Sequence, residues 1–375
     1  MSASVPSPAG AGARVIVGLS GGVDSAVAAL LLRQAGWDVQ GLFMSNWEED
    51  ADGYCTTAQD FQDARAVAAE IGIPLHRVSF AREYRRRVFD TFLAEHRAGR
   101  TPNPDVLCNR EIKFGLCLSW ARRLGATHFA TGHYARLLPV PDGTGLFKAL
   151  DAGKDQSYFL TEVPRAELPA LLMPLGELHK SEVRTLARRA GLPVYDKPDS
   201  TGICFIGERP FREFLARYLE RRPGPIESPA GEVLGRHEGL PFYTLGQRGG
   251  LAIGGRAGHP EEPWYVAAKL PARNVLVAVQ GHEHPLLYSD ALESGPWHWL
   301  APPRAEAFSA MVKVRYRQAD QAARLTPGAG GMQVSFEAPQ RAVTPGQYLV
   351  AYDGERCLGG AVIEHTVRAA RAVAA

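Results

Sequence analysis

Along residues 14–130 the apolar positions form short β-branched runs separated by longer stretches of helical period. Val15-Ile16-Val17 suits a strand buried on both faces. It breaks at Gly18-Leu19-Ser20-Gly21-Gly22, and an apolar helical segment follows over 25–34. The pattern then repeats, with a strand at 38–44, a helix at 56–71, a strand at 75–79 and an Arg-rich helix at 82–98. A Pro-broken loop at 101–105 precedes a helix at 112–124 and a strand at 127–130. Strands alternating with helices predict an α/β fold with a doubly wound parallel sheet. Ligands in such sheets sit at the carboxyl ends of the strands.

Beyond residue 160 the pattern changes. A mainly helical stretch is broken at Pro164, Pro169, Pro174 and Pro193, and 180–190 reads as an amphipathic helix. From Gly224 onward Gly and Pro become frequent, and strands are expected at 264–267 and 274–279. From about Pro285 the chain reads as all-β. Residues 310–317 and 333–337 alternate, and 347–363 carries Tyr-Asp-Gly-Glu, a hairpin signal. The expected order is a tail (1–13), a nucleotide domain (14–207, with a helical insertion near 163–190), a small central domain (208–284), a C-terminal antiparallel β-barrel (285–367) and a second tail (368–375).

Composition narrows the class. With 45% hydrophobic and 22% charged residues, the 375-residue chain reads as globular. The net charge of +2 neither demands nor excludes a nucleic-acid partner. Local bias says more: 82–100 carries six Arg against three acids, and 304–324 five basic residues against two acids. No apolar run reaches the ~20 residues of a membrane span, and the first thirteen residues lack the pattern of a signal or transit peptide. Five cysteines in a large chain argue against a disulfide framework and for a reduced, cytoplasmic setting.

The turn after the first strand is the strongest chemical signal. Its glycines let ligand oxygens approach backbone N–H groups, and the following helix N-terminus adds unpaired donors and partial positive charge. It lacks the Gly-Lys-Ser/Thr of a Walker A loop and the spacing of a dinucleotide fingerprint. Ser20-Gly-Gly-Val-Asp-Ser25 resembles the SGGxDS pyrophosphate loop of ATP pyrophosphatases, which split ATP into AMP and pyrophosphate.

Two cysteines lie in polar, glycine-flanked surroundings. Cys108 stands just before the expected helix at 112–124, with Arg110 and Lys113 nearby; a thiol so placed tends toward the thiolate. The competing reading is a small buried hydrophobe. Cys204, in Ser200-Thr-Gly-Ile-Cys-Phe-Ile-Gly207, makes a redox or sulfur-carrying pair with it conceivable. Neither has a C-x-x-C partner or zinc-like His spacing, so no metal site is expected. Cys117 and Cys357 read as structural, and Cys55 is ambiguous. Thr131-Gly-His-Tyr134 follows a strand, at the ligand end. Arg315-Tyr316, on an expected barrel strand, pairs a cation with a stacking ring as readers of single-stranded RNA do.

Seven strings together resemble the tRNA 2-thiouridylases, the tRNA-uridine 2-sulfurtransferases of the PP-loop ATP pyrophosphatase superfamily. They are GLSGGVDSAV (18–27), NPDVLCNREIKFG (103–115), TGHYAR (131–136), KDQSYFL (154–160), STGICFIGERPF (200–211), YTLGQRGGLAIGG (243–255) and VTPGQYLVAYDGERCLGGAVI (343–363). The resemblance implies a PP-loop domain, a central tRNA-binding domain and a β-barrel. It implies that Gly18, Leu19, Ser20, Gly21, Gly22, Val23, Asp24, Ser25, Met44 and Gly132 hold ATP, with Mg²⁺ accompanying the nucleotide. Asn103, Pro104 and Asp105 would meet the target base, Asp105 as acid or base. Cys108 would be the nucleophile and Cys204 the persulfide carrier, meeting in a transient disulfide. His133, Lys154, Asp155, Gln156, Arg315, Tyr316 and Gln347 would contact tRNA. The implied reaction is ATP-dependent 2-thiolation of the wobble uridine of tRNAs for Lys, Glu and Gln. Sulfur would come from a partner protein, a cysteine desulfurase or a relay carrier. A PP-loop enzyme adenylating another substrate and a non-catalytic tRNA-binding relative are the alternatives.

Overall fold

The structure, a computed structural model, describes residues 7–8, 12–47, 57–199, 210–255 and 261–368. Its first unit runs β1 (Arg14–Gly18), α1 (Val23–Gln34), β2 (Asp38–Ser45), α2 (Thr57–Ile71) and β3 (Leu75–Ser79). Then come α3 (Ala81–Tyr84), a π-helical stretch at 85–89 and α4 (Asp90–Arg97), followed by α5 (Pro104–Cys108), a π-helical stretch at 109–117 and α6 (Leu118–Arg123). β4 (His128–Ala130) closes this part. With a later strand, β7 (Leu171–Leu172), the sheet has the order β3-β2-β1-β4-β7, every pairing parallel. Strand residues serve both faces in alternation, which is why the buried middle of β1, Val15-Ile16-Val17, shows no polar position. Ile16, Leu42 and Phe129 join the core beneath the helices of 81–123, while Val15, Val17, Val39 and Phe43 face α1 and α2. The doubly wound α/β fold is as expected.

Three local expectations are revised, two of them in this first unit. The helix expected from 112 begins at Pro104. Asn103 is its N-cap, its side chain accepting from the Asp105 N–H at 3.2 Å, and Pro104 occupies the first turn. Asn-Pro-Asp is therefore a helix start rather than a break, since proline at that position loses no hydrogen bond. Cys108 accordingly lies within a helical run, not in a loop ahead of one. The second revision is a hairpin, β5 (Ala135–Val140) and β6 (Gly143–Lys148), where no strand was expected.

The hairpin carries the first unit onto the barrel, β6 pairing with β18 (Arg356–Val367) at Phe147↔Arg356. Between them lie β7 (Leu171–Leu172) and α7 (Lys180–Arg189), then the central unit of α8 (Phe211–Leu215), β8 (Gly224–Glu227), β9 (Val233–His237), β10 (Trp264–Leu270) and β11 (Val275–Gln280). The barrel comprises β12 (Tyr288–Ser294), β13 (His298–Trp299), β14 (Phe308–Lys313), β15 (Gln321–Gly328), β16 (Gly331–Arg341), β17 (Tyr348–Asp353) and β18 (Arg356–Val367). β12 pairs with both β16 and β18, which closes the antiparallel ring. The Asp-Gly hairpin falls between β17 and β18, with Gly354 at φ +57°. Arg315-Tyr316 is not on a strand: β14 ends at Lys313, and Arg317 is left-handed at φ +63°. The alternation of 310–317 runs on into a turn.

Candidate active site

The loop after β1 is held by its own serines. The Ser25 hydroxyl accepts from the Ser20 N–H at 3.1 Å, lies 3.2 Å from the Ser20 hydroxyl, and donates to the Gly22 carbonyl at 3.1 Å. Leu19 N–H donates to Leu42 O at 2.9 Å, pinning the loop to β2. Gly22 is the N-cap of α1, leaving the amides of Val23 and Asp24 in the first turn, where an anion is favoured. Gly21 sits at φ +77° with its α-carbon packed on the Asp60 backbone. Gly132, after β4, closes the cradle from the other side: a Cβ there would lie 2.7 Å from Asp24 C and Ser25 N.

Around this cradle the fold gathers cations that the sequence pattern does not reveal. Lys180, the first residue of α7, binds both Asp24 oxygens at 2.6 and 2.8 Å and Asp199 at 2.8 Å. Tyr134 donates to Asp24 at 2.8 Å; burial and the Asp24 charge raise its phenol, so it remains a donor. Asp199 also takes Lys154 at 2.7 Å and Arg184 at 2.9 Å. Burial alone would raise the Asp199 carboxyl, but hydrogen bonds from Lys154 and Lys180 prevail and hold it at about 2. Lys197 binds Gly21 O at 3.1 Å, Asp60 at 2.8 Å and Asp63 at 2.5 Å. These lysines lie more than a hundred residues from the loop, so only the parallel crossovers bring them to it. A glycine cradle at a helix N-terminus, ringed by ammonium groups, fits a polyphosphate. Asp24 is the carboxylate suited to share a magnesium ion with it.

The Cys108 helix faces the same end of the sheet. Cys108 is 3% exposed. Asp105, half-buried one turn earlier, has its carboxyl raised by burial, with Lys113 pulling the other way. A raised carboxyl near the reacting groups suits acid–base work. Lys113 Nζ lies 3.4 Å from His133 Nε2, and His133 Nδ1 lies 2.8 Å from the Thr131 hydroxyl. An ammonium can only donate, so Nε2 accepts and Nδ1–H donates to Thr131. Burial first, then Lys113, holds the imidazole well below its ordinary pKa and hence neutral. Cys117 donates to Met44 Sδ at 3.4 Å, and burial pushes its thiol up to about 12. Cys204 and Cys55 lie outside the described residues.

The remaining candidates are spread over two units. Asp155 is 5% exposed and accepts from Ala149 N, Ser157 N and Ser157 Oγ at 3.0–3.1 Å. Gln156 Oε1 accepts from Tyr134 N at 2.9 Å. Gln347 Nε2 donates to Thr101 O at 2.8 Å and Pro102 O at 3.2 Å. Arg315 is exposed, and Tyr316 packs on Phe159 with centroids 4.3 Å apart.

Family models match in three blocks: a tRNA methyl transferase HUP domain over 13–208, a tRNA methyl transferase PRC-barrel domain over 212–280 and an aminomethyltransferase beta-barrel domain over 289–363. Full-length relatives are similar along almost the whole chain. The tRNA-specific 2-thiouridylase MnmA of Marinobacter nauticus is 57% identical over 361 residues, covering 95% of this chain and 92% of the relative. The protein of the same name from Dichelobacter nodosus is 54% identical, covering 96% and 97%. The chain belongs to the tRNA-specific 2-thiouridylase family. Among the described residues no helix is long and apolar enough to cross a membrane.

Proposed function

We propose that this chain 2-thiolates the wobble uridine of tRNA at the expense of ATP. The observation that carries the reading is the short segment Thr131–Tyr134. Gly132 packs on the phosphate cradle while His133 meets Lys113, five residues after Cys108 in the same helical run, which supports a reading in which nucleotide and thiol chemistry are neighbours.

The uracil C2 carbonyl is urea-like, and its oxygen is a poor leaving group. Attack of that oxygen on the α-phosphorus of ATP expels pyrophosphate and converts the oxygen into part of an AMP leaving group. The α1 amides, Lys180 and Lys197 would stabilise the departing charge, and magnesium would add Lewis-acid neutralisation beside Asp24. A terminal sulfur carried on Cys204 then replaces AMP at C2. In one route Cys108 thiolate attacks the Cys204 sulfur, releasing hydrosulfide that adds to C2. In the other the persulfide adds to C2 and Cys108 then frees the thiocarbonyl. Both end in a Cys108–Cys204 disulfide, which a thiol reductant reopens with two electrons. Asp105 would exchange the proton beside the base, which must leave its stack to reach it.

Residues 14–207, 208–284 and 285–367 are the domains this reading uses, with Lys154, Gln156, Arg315 and Tyr316 on the RNA side. The setting is the reducing cytoplasm, and a desulfurase or relay carrier supplies sulfur. The test is Cys108→Ser and Cys204→Ser in the presence of ATP, Mg²⁺, unmodified tRNA and a persulfide donor. Both variants should lose 2-thiouridine yet still release pyrophosphate with tRNA. Thiolation surviving either substitution refutes the roles, and AMP formed equally well without RNA points to another substrate.

A further inference from the structure

The barrel reaches the Cys108 helix through backbone and side-chain contacts within the chain itself. The strap Thr101–Pro102, which leads into the Asn103 cap, is gripped by residues 345–347. Thr101 N–H donates to Pro345 O at 2.9 Å, and the Gln347 amide donates to the Thr101 and Pro102 carbonyls at 2.8 and 3.2 Å. The approach is so close that a Cβ on Gly346, itself at φ +93°, would stand 2.9–3.0 Å from Thr101 N, C and O. Tyr348, the next residue, serves the other flank. Its hydroxyl donates to buried Glu162 at 3.1 Å, and the same Glu162 oxygen takes Arg110 Nη1 at 2.5 Å. Tyr158 in turn donates to Tyr348 O at 3.0 Å. Two consecutive residues therefore brace the thiol-bearing segment, Gln347 directly at the seventh and sixth residues before Cys108 and Tyr348 through Glu162 at Arg110, two residues after it.

We propose that Gln347 and Tyr348 are positioning residues for the Asp105–Cys108 segment, so that the barrel sets the geometry of the thiol helix as well as any contact with RNA. Both acceptors of Gln347 are carbonyls, so its NH₂ is committed to the strap. A glutamate in its place would set a carboxylate against two carbonyl oxygens with no proton to share. A lysine would keep donors within reach. Chemistry is sensitive to this kind of support, because a displacement of about 1 Å can cost on the order of a hundredfold in rate.

The proposal rests on the thiolation reading, and the test separates the two. In the full chain, Gln347→Glu, Gln347→Lys and Tyr348→Phe are compared with wild type by three measurements: single-turnover thiolation at saturating tRNA, tRNA Kd across a salt series, and hydrogen exchange of the 101–108 amides. Gln347→Glu should lower the single-turnover rate at saturating tRNA about tenfold and speed exchange at 101–108, a loss that raising the tRNA concentration further does not relieve. Gln347→Lys should restore most of the rate. A tenfold weaker Kd with an unchanged rate at saturation and unchanged exchange would make Gln347 an RNA contact and overturn the proposal. If Gln347→Glu does not fold, Tyr348→Phe decides, since it deletes one hydroxyl: the rate falls with Kd unchanged, or the proposal is wrong. Absence of 2-thiouridine from wild type would sink the functional reading, leaving the exchange comparison to judge the clamp.

Discussion

Replacing Gly21 by alanine separates the two adjacent glycines of the cradle, which the sequence presents as equals. At φ +77° an alanine costs about 1–2 kcal/mol in backbone strain alone. Its Cβ would also overlap the Asp60 carbonyl oxygen and stand 3.0 Å from the Asp60 carbonyl carbon. The obstacle is backbone, so the loop itself has to move, by roughly 1 Å to regain ordinary contact. Strain and overlap together put the stability loss at roughly 2–4 kcal/mol, and a 1 Å shift of phosphate-binding amides costs on the order of a hundredfold in rate. Gly22 is different. It is extended at φ −99°, ψ 163°, and a Cβ there meets only the Ser20 hydroxyl at 3.4 Å. Gly22→Ala should cost no more than about 1 kcal/mol, the usual penalty for alanine at an N-cap. The assay is ATP-dependent pyrophosphate release in the presence of tRNA, with tRNA Kd as control. Gly21→Ala should raise the ATP KM and lower kcat, Gly22→Ala should stay within about fivefold of wild type, and neither should alter tRNA binding. Equal activity of the two variants would refute the geometry assigned to the loop.

Lys180→Met should raise the ATP KM between about tenfold and a hundredfold, the value of a hydrogen bond to a charged partner, while Lys180→Arg should recover part of it; an unchanged KM would remove Lys180 from the cradle. His96 is 2% exposed and its ring is held at about 4 by burial, with Lys269 acting in the same direction. The unfolded chain therefore binds the extra proton first. Stability is full above about pH 6.5 and falls as pH drops toward 4, by up to about 3 kcal/mol from this residue. His96→Gln should flatten that part of a melting-temperature profile, and an equally steep profile would contradict the assignment. Cys117 and Cys357, both pushed to about 12 by burial, should resist iodoacetamide at pH 8 in the folded chain. Peptide mapping that finds either labelled at the rate of an exposed thiol would contradict their burial.

The phosphate loop is legible in the sequence because strand, glycine turn and helix are contiguous, and Ser20, Gly22 and Ser25 bond one another within five positions. The cations that complete it are not. Lys180 opens the expected amphipathic helix and Lys197 lies beyond it, and nothing in their sequence surroundings shows that the chain returns them to Asp24 and Gly21. Pro104 misleads because the same residue that ends one helix opens another, and Asn103 as cap decides which. The β5–β6 hairpin had its signal in Pro141-Asp142-Gly143, but its strands are short and half-exposed, and their partner is the barrel edge far along the chain. Gln347 shows a further limit: a polar residue in the bend before a barrel strand gives no sign that its amide is already committed to a carbonyl 246 positions away.

The central claim is that nucleotide splitting and sulfur transfer meet on one base. The most direct measurement is mass spectrometry of nucleosides from unmodified tRNA incubated with the chain, ATP, Mg²⁺ and a persulfide donor labelled with ³⁴S. The account predicts 2-thiouridine carrying the label at the wobble position, one AMP formed per thiolated base, and no product without ATP. AMP accumulating without labelled 2-thiouridine, or thiolation proceeding without ATP, would contradict it.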